Sequence, residues 1–272
     1  MHVKSVIAAA ASVVILLAVP ARGHNLPRYV ATCIRSDLSS DPCGPGRLEV
    51  NFKTRISPER LPRHELMPIG LMVSGTVGTK GGGYPPALRE AEVVLDEGIK
   101  VDTERLAACS RRRLESLNNA PAGTCRNAII GHGVARIGLV SSGENLKVPL
   151  TLLNGGTAAG VTRLFVHGAA ATTGGDLVAA GQIRRRGQAL EATWRLPRLL
   201  EGGGSLLSFR IEIKRVFAAS GQRHSYLSGS CPDGELRASI PELTFVNETQ
   251  TPGVASRTVL KGGLAVPCTP ER

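Results

Sequence analysis

Histidine is the side chain that both titrates near neutrality and ligates metals, and five of the chain's six histidines lie beyond its first two dozen residues: His24, His64, His132, His167 and His224. Their surroundings limit what each can do. His64-Glu65-Leu66-Met67-Pro68 begins like the H-E-x-x-H helix of zinc proteases, but Pro68 stands where the second ligand must be and breaks the helix that would present both. His24 becomes the first residue if the chain is cut after Gly23, and a free amine with its imidazole is half of a copper brace. The other half needs a second histidine and a flat aromatic surface, which one tryptophan, Trp194, and three tyrosines do not supply. His132 and His224 sit at expected strand ends beside glycine or arginine, where an exposed or backbone-bonded ring is the default. His167 ends an apolar strand, which suits a core or rim position, and it is the histidine most worth mutating.

The remaining chemistry is equally incomplete. Glycoside hydrolysis needs two carboxyl groups about 5–10 Å apart across a sugar-binding cleft. Asp96 and Glu97 are adjacent and would point to opposite faces of a strand, while Glu90 and Glu92 share a face only as a solvated stripe. No G-x-S-x-G nucleophile elbow exists, and Ser228 beside a cysteine suits a backbone-capping hydroxyl. The glycine-rich stretch from Gly75 to Gly83 lacks the Lys-Ser/Thr ending of a phosphate loop and is expected to be a hairpin loop. No catalytic residue, cofactor or metal site is therefore assigned. Two arginine runs remain as binding candidates, Arg111-Arg112-Arg113 and Arg184-Arg185-Arg186, together with His167 and His224.

These groups must be positioned by an exported, disulfide-stapled chain. Lys4 supplies a short positive region, Val6 to Val19 an apolar run too short to span a bilayer, and Val19-Pro20-Ala21 small residues for a cut after Ala21; a cut after Gly23 is the alternative. The whole chain carries 33 Lys and Arg against 22 Asp and Glu. Losing residues 1–23 removes Lys4 and Arg22 and no acid, leaving 31 bases against 22 acids, a net charge of +9. Six cysteines in an oxidising destination should pair. Fifteen connectivities exist, and nearness in the chain favours Cys33 with Cys43, Cys109 with Cys125, and Cys231 with Cys268. A closed loop of about 15 residues contributes about 3 kcal/mol in the chain-entropy model.

The dominant hydrophobic period is two. Leu48, Val50 and Phe52 alternate with Glu49 and Asn51, and Leu207, Phe209, Ile211 and Ile213 alternate with Ser208, Arg210 and Glu212. About eleven such strands, separated by glycine-rich turns, predict an all-β fold: an antiparallel β-sandwich, with jelly-roll wiring as one arrangement. A short helical excursion is expected near 102–117, opened by Asp102-Thr103-Glu104 and ended by Asn118, Asn119 and Pro121. The organisation expected is a signal peptide over 1–23, a polar cysteine-containing leader over 24–46 and a β-sandwich domain over 47–272, with a split into two sandwiches near 141–145 as the alternative.

From Pro62 to Cys268 the chain resembles a group of uncharacterised secreted actinobacterial proteins. The resemblance rests on Tyr84-Pro85-Pro86-Ala87-Leu88-Arg89-Glu90-Ala91-Glu92, on the Cys109 to Cys125 segment followed by Ile129-Ile130-Gly131-His132-Gly133, on Phe165-Val166-His167-Gly168, and on Arg223-His224-Ser225-Tyr226-Leu227-Ser228-Gly229-Ser230-Cys231-Pro232. It implies export and a shared β fold and brings no mechanism. The function expected is that of a non-catalytic extracellular or cell-envelope protein, secreted or envelope-associated, holding an anionic cell-wall polymer or membrane surface by its basic surface. Nucleic acid is not expected, since no aromatics interleave the basic runs. The alternative is a secreted hydrolase using His167 or His224 with a nearby acid or serine.

Overall fold

In the computed structural model the described residues are 29–30, 48–79, 82–95, 97–115, 123–170, 175–199, 203–219, 221–246 and 257–271. The expected signal peptide, nearly all of the leader, Cys33, Cys43 and Asp96 lie outside them. In chain order the strands are β1 (Tyr29–Val30), β2 (Leu48–Ser57), β3 (Arg60–Pro62), β4 (Met67–Pro68), β5 (Gly70–Thr79), β6 (Ala87–Leu95) and β7 (Ile99–Val101). After the single short helix α1 (Arg111–Glu115) come β8 (Ile129–Leu139), β9 (Asn145–Ala158), β10 (Val161–Ala170), β11 (Gly175–Arg186), β12 (Ala189–Arg195) and β13 (Gly204–Ile213). The last are β14 (Val216–Ala219), β15 (Gln222–Ser225), β16 (Leu227–Gly229), β17 (Glu235–Val246), β18 (Arg257–Pro267) and β19 (Thr269–Glu271).

Twelve of these strands form one antiparallel sheet in the order β1-β2-β5-β13-β8-β9-β10-β11-β12-β6-β17-β18. Its core is the consecutive meander β8 to β12, flanked by β13 on one side and β6 on the other. The sheet curls until its two ends approach, β18 lying against β1 and β2, so the fold is all-β and barrel-like, with the face-to-face packing of a sandwich. Residues 141–144 are the turn joining β8 and β9, which are neighbours in this sheet.

Alternation explains the curl. On β2, Leu48, Val50, Phe52 and Ile56 are buried while Lys53, Arg55 and Ser57 face outward. Inward side chains from opposite walls meet in two clusters. One joins Ile56 and Ile213 to Ile183, Leu190 and Val266, and the other joins Phe52 and Val77 to Leu243 and Phe245. Trp194 needs special room: a Cβ at Gly181, directly opposite on β11, would sit 2.6 Å from its ring. Only a side chain of hydrogen leaves space for the indole there.

Two expectations change. The stretch from Gly75 to Gly83 is not a hairpin loop: Gly75 to Thr79 belong to β5, and only Gly82 and Gly83 turn, both with positive φ. The connection leads to β6, which pairs with β12 and β17 and not with β5. The helical excursion shrinks to Arg111–Glu115. Asp102 accepts the Glu104 N–H at 3.2 Å in a local turn, and Asn154 holds the following residues extended. Its amide donates to the carbonyls of Ala107 at 3.0 Å and Leu106 at 3.4 Å, and its own carbonyl accepts the Cys109 N–H at 2.8 Å. The helix starts only at Ser110, whose hydroxyl accepts the Arg113 N–H.

The excursion then crosses onto the outer side of the sheet. Cys109, Leu114, Cys125 and Ala128 pack on Leu153 of β9 and Phe165 of β10, a third apolar cluster outside the barrel. The Cys109–Cys125 and Cys231–Cys268 disulfides are both formed.

Candidate functional site: a cationic band on the outer sheet face

A strand turns alternate side chains to one face, and directly paired residues of adjacent strands share that face. The outward residues of β2, β5, β13, β8 and β9 can therefore be set in rows. One row runs Lys53, Ser74, Arg210, Val134, Pro149. The next toward the β8–β9 turn runs Asn51, Thr76, Ser208, Arg136, Lys147, and the next in the other direction runs Arg55, Met72, Glu212, His132, Thr151. Five cations thus form an oblique band: Arg55 and Lys53 on β2, Arg210 on β13, Arg136 on β8 and Lys147 on β9. With strands about 4.8 Å apart, the band spans roughly 20–25 Å.

All five are exposed. None has a carboxylate or other side-chain partner among the described residues. Hydroxyls lie between them: Ser74 separates Lys53 from Arg210, and Ser208 stands opposite Arg136. Such a surface offers point charges, planar guanidinium forks and hydroxyl donors to an extended anion. The large exposed hydrophobics, Leu66 and Val140, sit in the turn before β4 and in the β8–β9 turn, off the band.

The residues singled out in the sequence lie elsewhere. Arg184 and Arg186 end β11 on the outer face, where Arg184 bonds Gln182 and Arg186 pairs with Glu191 at 3.4 Å; Arg185 donates to the Gln188 carbonyl. Arg111 is tied to Glu115 at 2.7 Å within α1, beside Arg112 and Arg113. Glu90 is likewise paired, with Arg195 at 3.8 Å, and stands one strand from the directly opposed Glu92 and Glu242 only as part of a charged outer stripe. The two arginine runs are therefore separate from the band, and the band was invisible in the sequence because its members are single residues on four strands.

His167 is 1% exposed, on the outer face between Thr151 and Val178, in the row next to Phe165 and the apolar cluster under the excursion. His224 lies on the β14–β15 hairpin, stacked on Phe217 with ring centroids 5.6 Å apart. Its Nε2 is 3.2 Å from an Arg105 guanidinium nitrogen, and its Nδ1 is 4.0 Å from Asp102 Oδ2. Guanidinium only donates, so Nε2 accepts and the proton sits on Nδ1, facing the carboxylate. The lone pair that a general base would use is occupied by Arg105. The neighbouring Ser225 hydroxyl donates to the Leu227 carbonyl at 2.7 Å, away from the ring. His224 here pins the hairpin to the 102–105 turn.

His64 and Glu65 precede the two-residue strand β4, and Ser228 is in β16 between Pro68 and Lys100. No group of three or more His, Cys, Asp or Glu among the described residues is arranged to hold a metal ion. Comparison with protein-family models, with characterised proteins and with solved structures finds no match to this chain.

Proposed function

We propose that the protein is an exported, non-catalytic cell-envelope module that binds an extended polyanion, such as an anionic wall polymer, along the band Arg55, Lys53, Arg210, Arg136 and Lys147. The observation that carries this reading is five exposed cations in register on one sheet face with no internal partner. Elsewhere on the outer face arginines are neutralised by their own neighbours, as Arg186 and Arg195 are. Leaving five like charges unpaired side by side costs folding stability, and a polymer that brings one anionic group to each removes that cost.

The band favours a linear polymer over a membrane, because it lacks the apolar side chains that would enter an acyl layer. It has no aromatic platform on which bases could stack. Binding of this kind releases counterions, so its affinity falls steeply with salt. The test is co-sedimentation of the full-length chain with purified anionic cell wall at rising sodium chloride. Retention at 50 mM salt that is lost by about 0.5 M is expected from counterion release. Salt-indifferent retention, or none at low salt, would refute the proposal.

A further inference from the structure

The outward row that borders the band holds its one acid. Glu212 on β13 stands directly opposite His132 on β8, and both are exposed. Along β13, Glu212 is two residues from Arg210, so its carboxylate lies on the same face as the band, about 7 Å along the strand from the central cation. Arg55 is in the same row, two strands away through Met72. An incoming anion therefore meets repulsion from Glu212 at the middle of the cationic track.

We propose that the Glu212–His132 pair makes polyanion binding at this band pH-dependent: weaker at pH 8, tighter at pH 5. This rests on the polyanion reading above and names the regulation of that same site. Histidine is the side chain that changes charge between pH 5 and 8. Paired residues on adjacent antiparallel strands have Cβ atoms about 5 Å apart, close enough for an imidazolium to engage the carboxylate opposite. The proton that His132 takes up cancels the charge of Glu212 and removes the repulsion.

No other element supplies a competing titration at this position. From β13, His132 faces Glu212 directly and the permanent cations Arg210 and Lys214 diagonally; from β9 it faces Thr151, with Pro149 and Leu153 to either side. The next ring along the row, His167 on β10, is buried. Each ionic contact to a polyanion carries a salt slope of about 0.7–0.9, so one recovered charge is worth roughly five- to eightfold in affinity at 0.1 M salt.

The experiment is the dissociation constant of the full-length chain for long-chain inorganic polyphosphate, whose internal groups stay ionised throughout, at pH 5 and pH 8 in 0.1 M salt. Wild type should bind about five- to eightfold more tightly at pH 5. His132→Asn should bind equally at both values, at the weak level. Glu212→Gln should gain about the same factor at pH 8. Exposed His64 is the control, and His64→Asn should keep the wild-type ratio. Equal wild-type affinity at the two pH values, or a pH ratio that survives in His132→Asn, overturns this inference and leaves the polyanion reading standing. Polyphosphate that fails to bind at either pH, with wall polymer failing alongside it, overturns both.

Discussion

Replacing Asn154 by alanine tests how the 102–128 excursion is held to the sheet. Asn154 is fully buried on β9, and its side chain satisfies three backbone groups: the carbonyls of Ala107 and Leu106, at 3.0 and 3.4 Å, and the Gly156 N–H at 3.1 Å. The bond at 3.4 Å is long and counts for little. The other two contribute about 1 kcal/mol each when formed, and leaving their partners buried without a replacement adds to that, for a loss of roughly 2–4 kcal/mol. In a domain of this size each kcal/mol moves the melting temperature by about 2–4 °C, so a drop of roughly 5–15 °C is expected. Asn154→Asp is a sharper perturbation. It turns an amide that donates to two carbonyls into an oxygen that repels them, and buries a charge, so it should cost at least as much as alanine. Urea and thermal unfolding give the magnitude, and limited proteolysis between residues 102 and 128 locates it. If Asn154→Ala stays within about 0.5 kcal/mol of wild type, or if the aspartate variant is the more stable of the two, the account of how the excursion is anchored is wrong.

Neutralising three members of the band, Lys53→Gln, Arg136→Gln and Arg210→Gln together, should cut the salt slope of polyanion binding by about 2 to 3 and the affinity at 0.1 M salt by roughly a hundredfold or more. Arg184→Gln with Arg186→Gln, which alters the same face type but removes arginines already engaged, should change affinity by far less; a reversed order of the two effects would place binding at the arginine run. Tyr226 is 1% exposed and its hydroxyl has no hydrogen-bond partner, so Tyr226→Phe should be neutral or stabilising by about 0–2 kcal/mol in chemical denaturation. Burial also raises its phenol above the ordinary value. The unfolded chain therefore gives up that proton near pH 10 while the folded chain keeps it, and stability present below about pH 10 falls as pH rises beyond it; the phenylalanine variant should lose this part of the alkaline slope. Gly181→Ala drives a Cβ against the Trp194 ring and should cost about 1–3 kcal/mol, relieved when Trp194 is shortened to leucine in the same chain.

Period-two alternation was enough to place β2 and β13, because one side of each strand must leave water. It could not foresee the bulge between Leu206 and Ser208, which turns Leu206 into the core in place of Leu207. The cysteine pairing by nearness holds for Cys109–Cys125 and Cys231–Cys268. The extent of the helix did not follow from local propensity, because residues 106–109 are held by Asn154, some 45 positions further along the chain. The site was harder still. An arginine run is conspicuous in a sequence, yet three consecutive residues of a strand cannot share one face: Arg184 and Arg186 face outward on alternate positions and Arg185 does not. A charged face is assembled the other way, from one or two residues on each of several strands, and Lys53, Arg136, Lys147 and Arg210 become neighbours only once the strand order is known.

The five-strand width of the band fixes a footprint, and a footprint shorter than its polymer has consequences for assembly. At roughly 20–25 Å it covers three or four charged repeats of about 6–7 Å each, and no more, however long the polymer is. A longer chain is then a one-dimensional lattice on which copies of the protein compete for adjacent sites. Occupancy per polymer should rise with polymer length while affinity per site stays level, and a single strand of polymer would gather many copies that have no contact with one another.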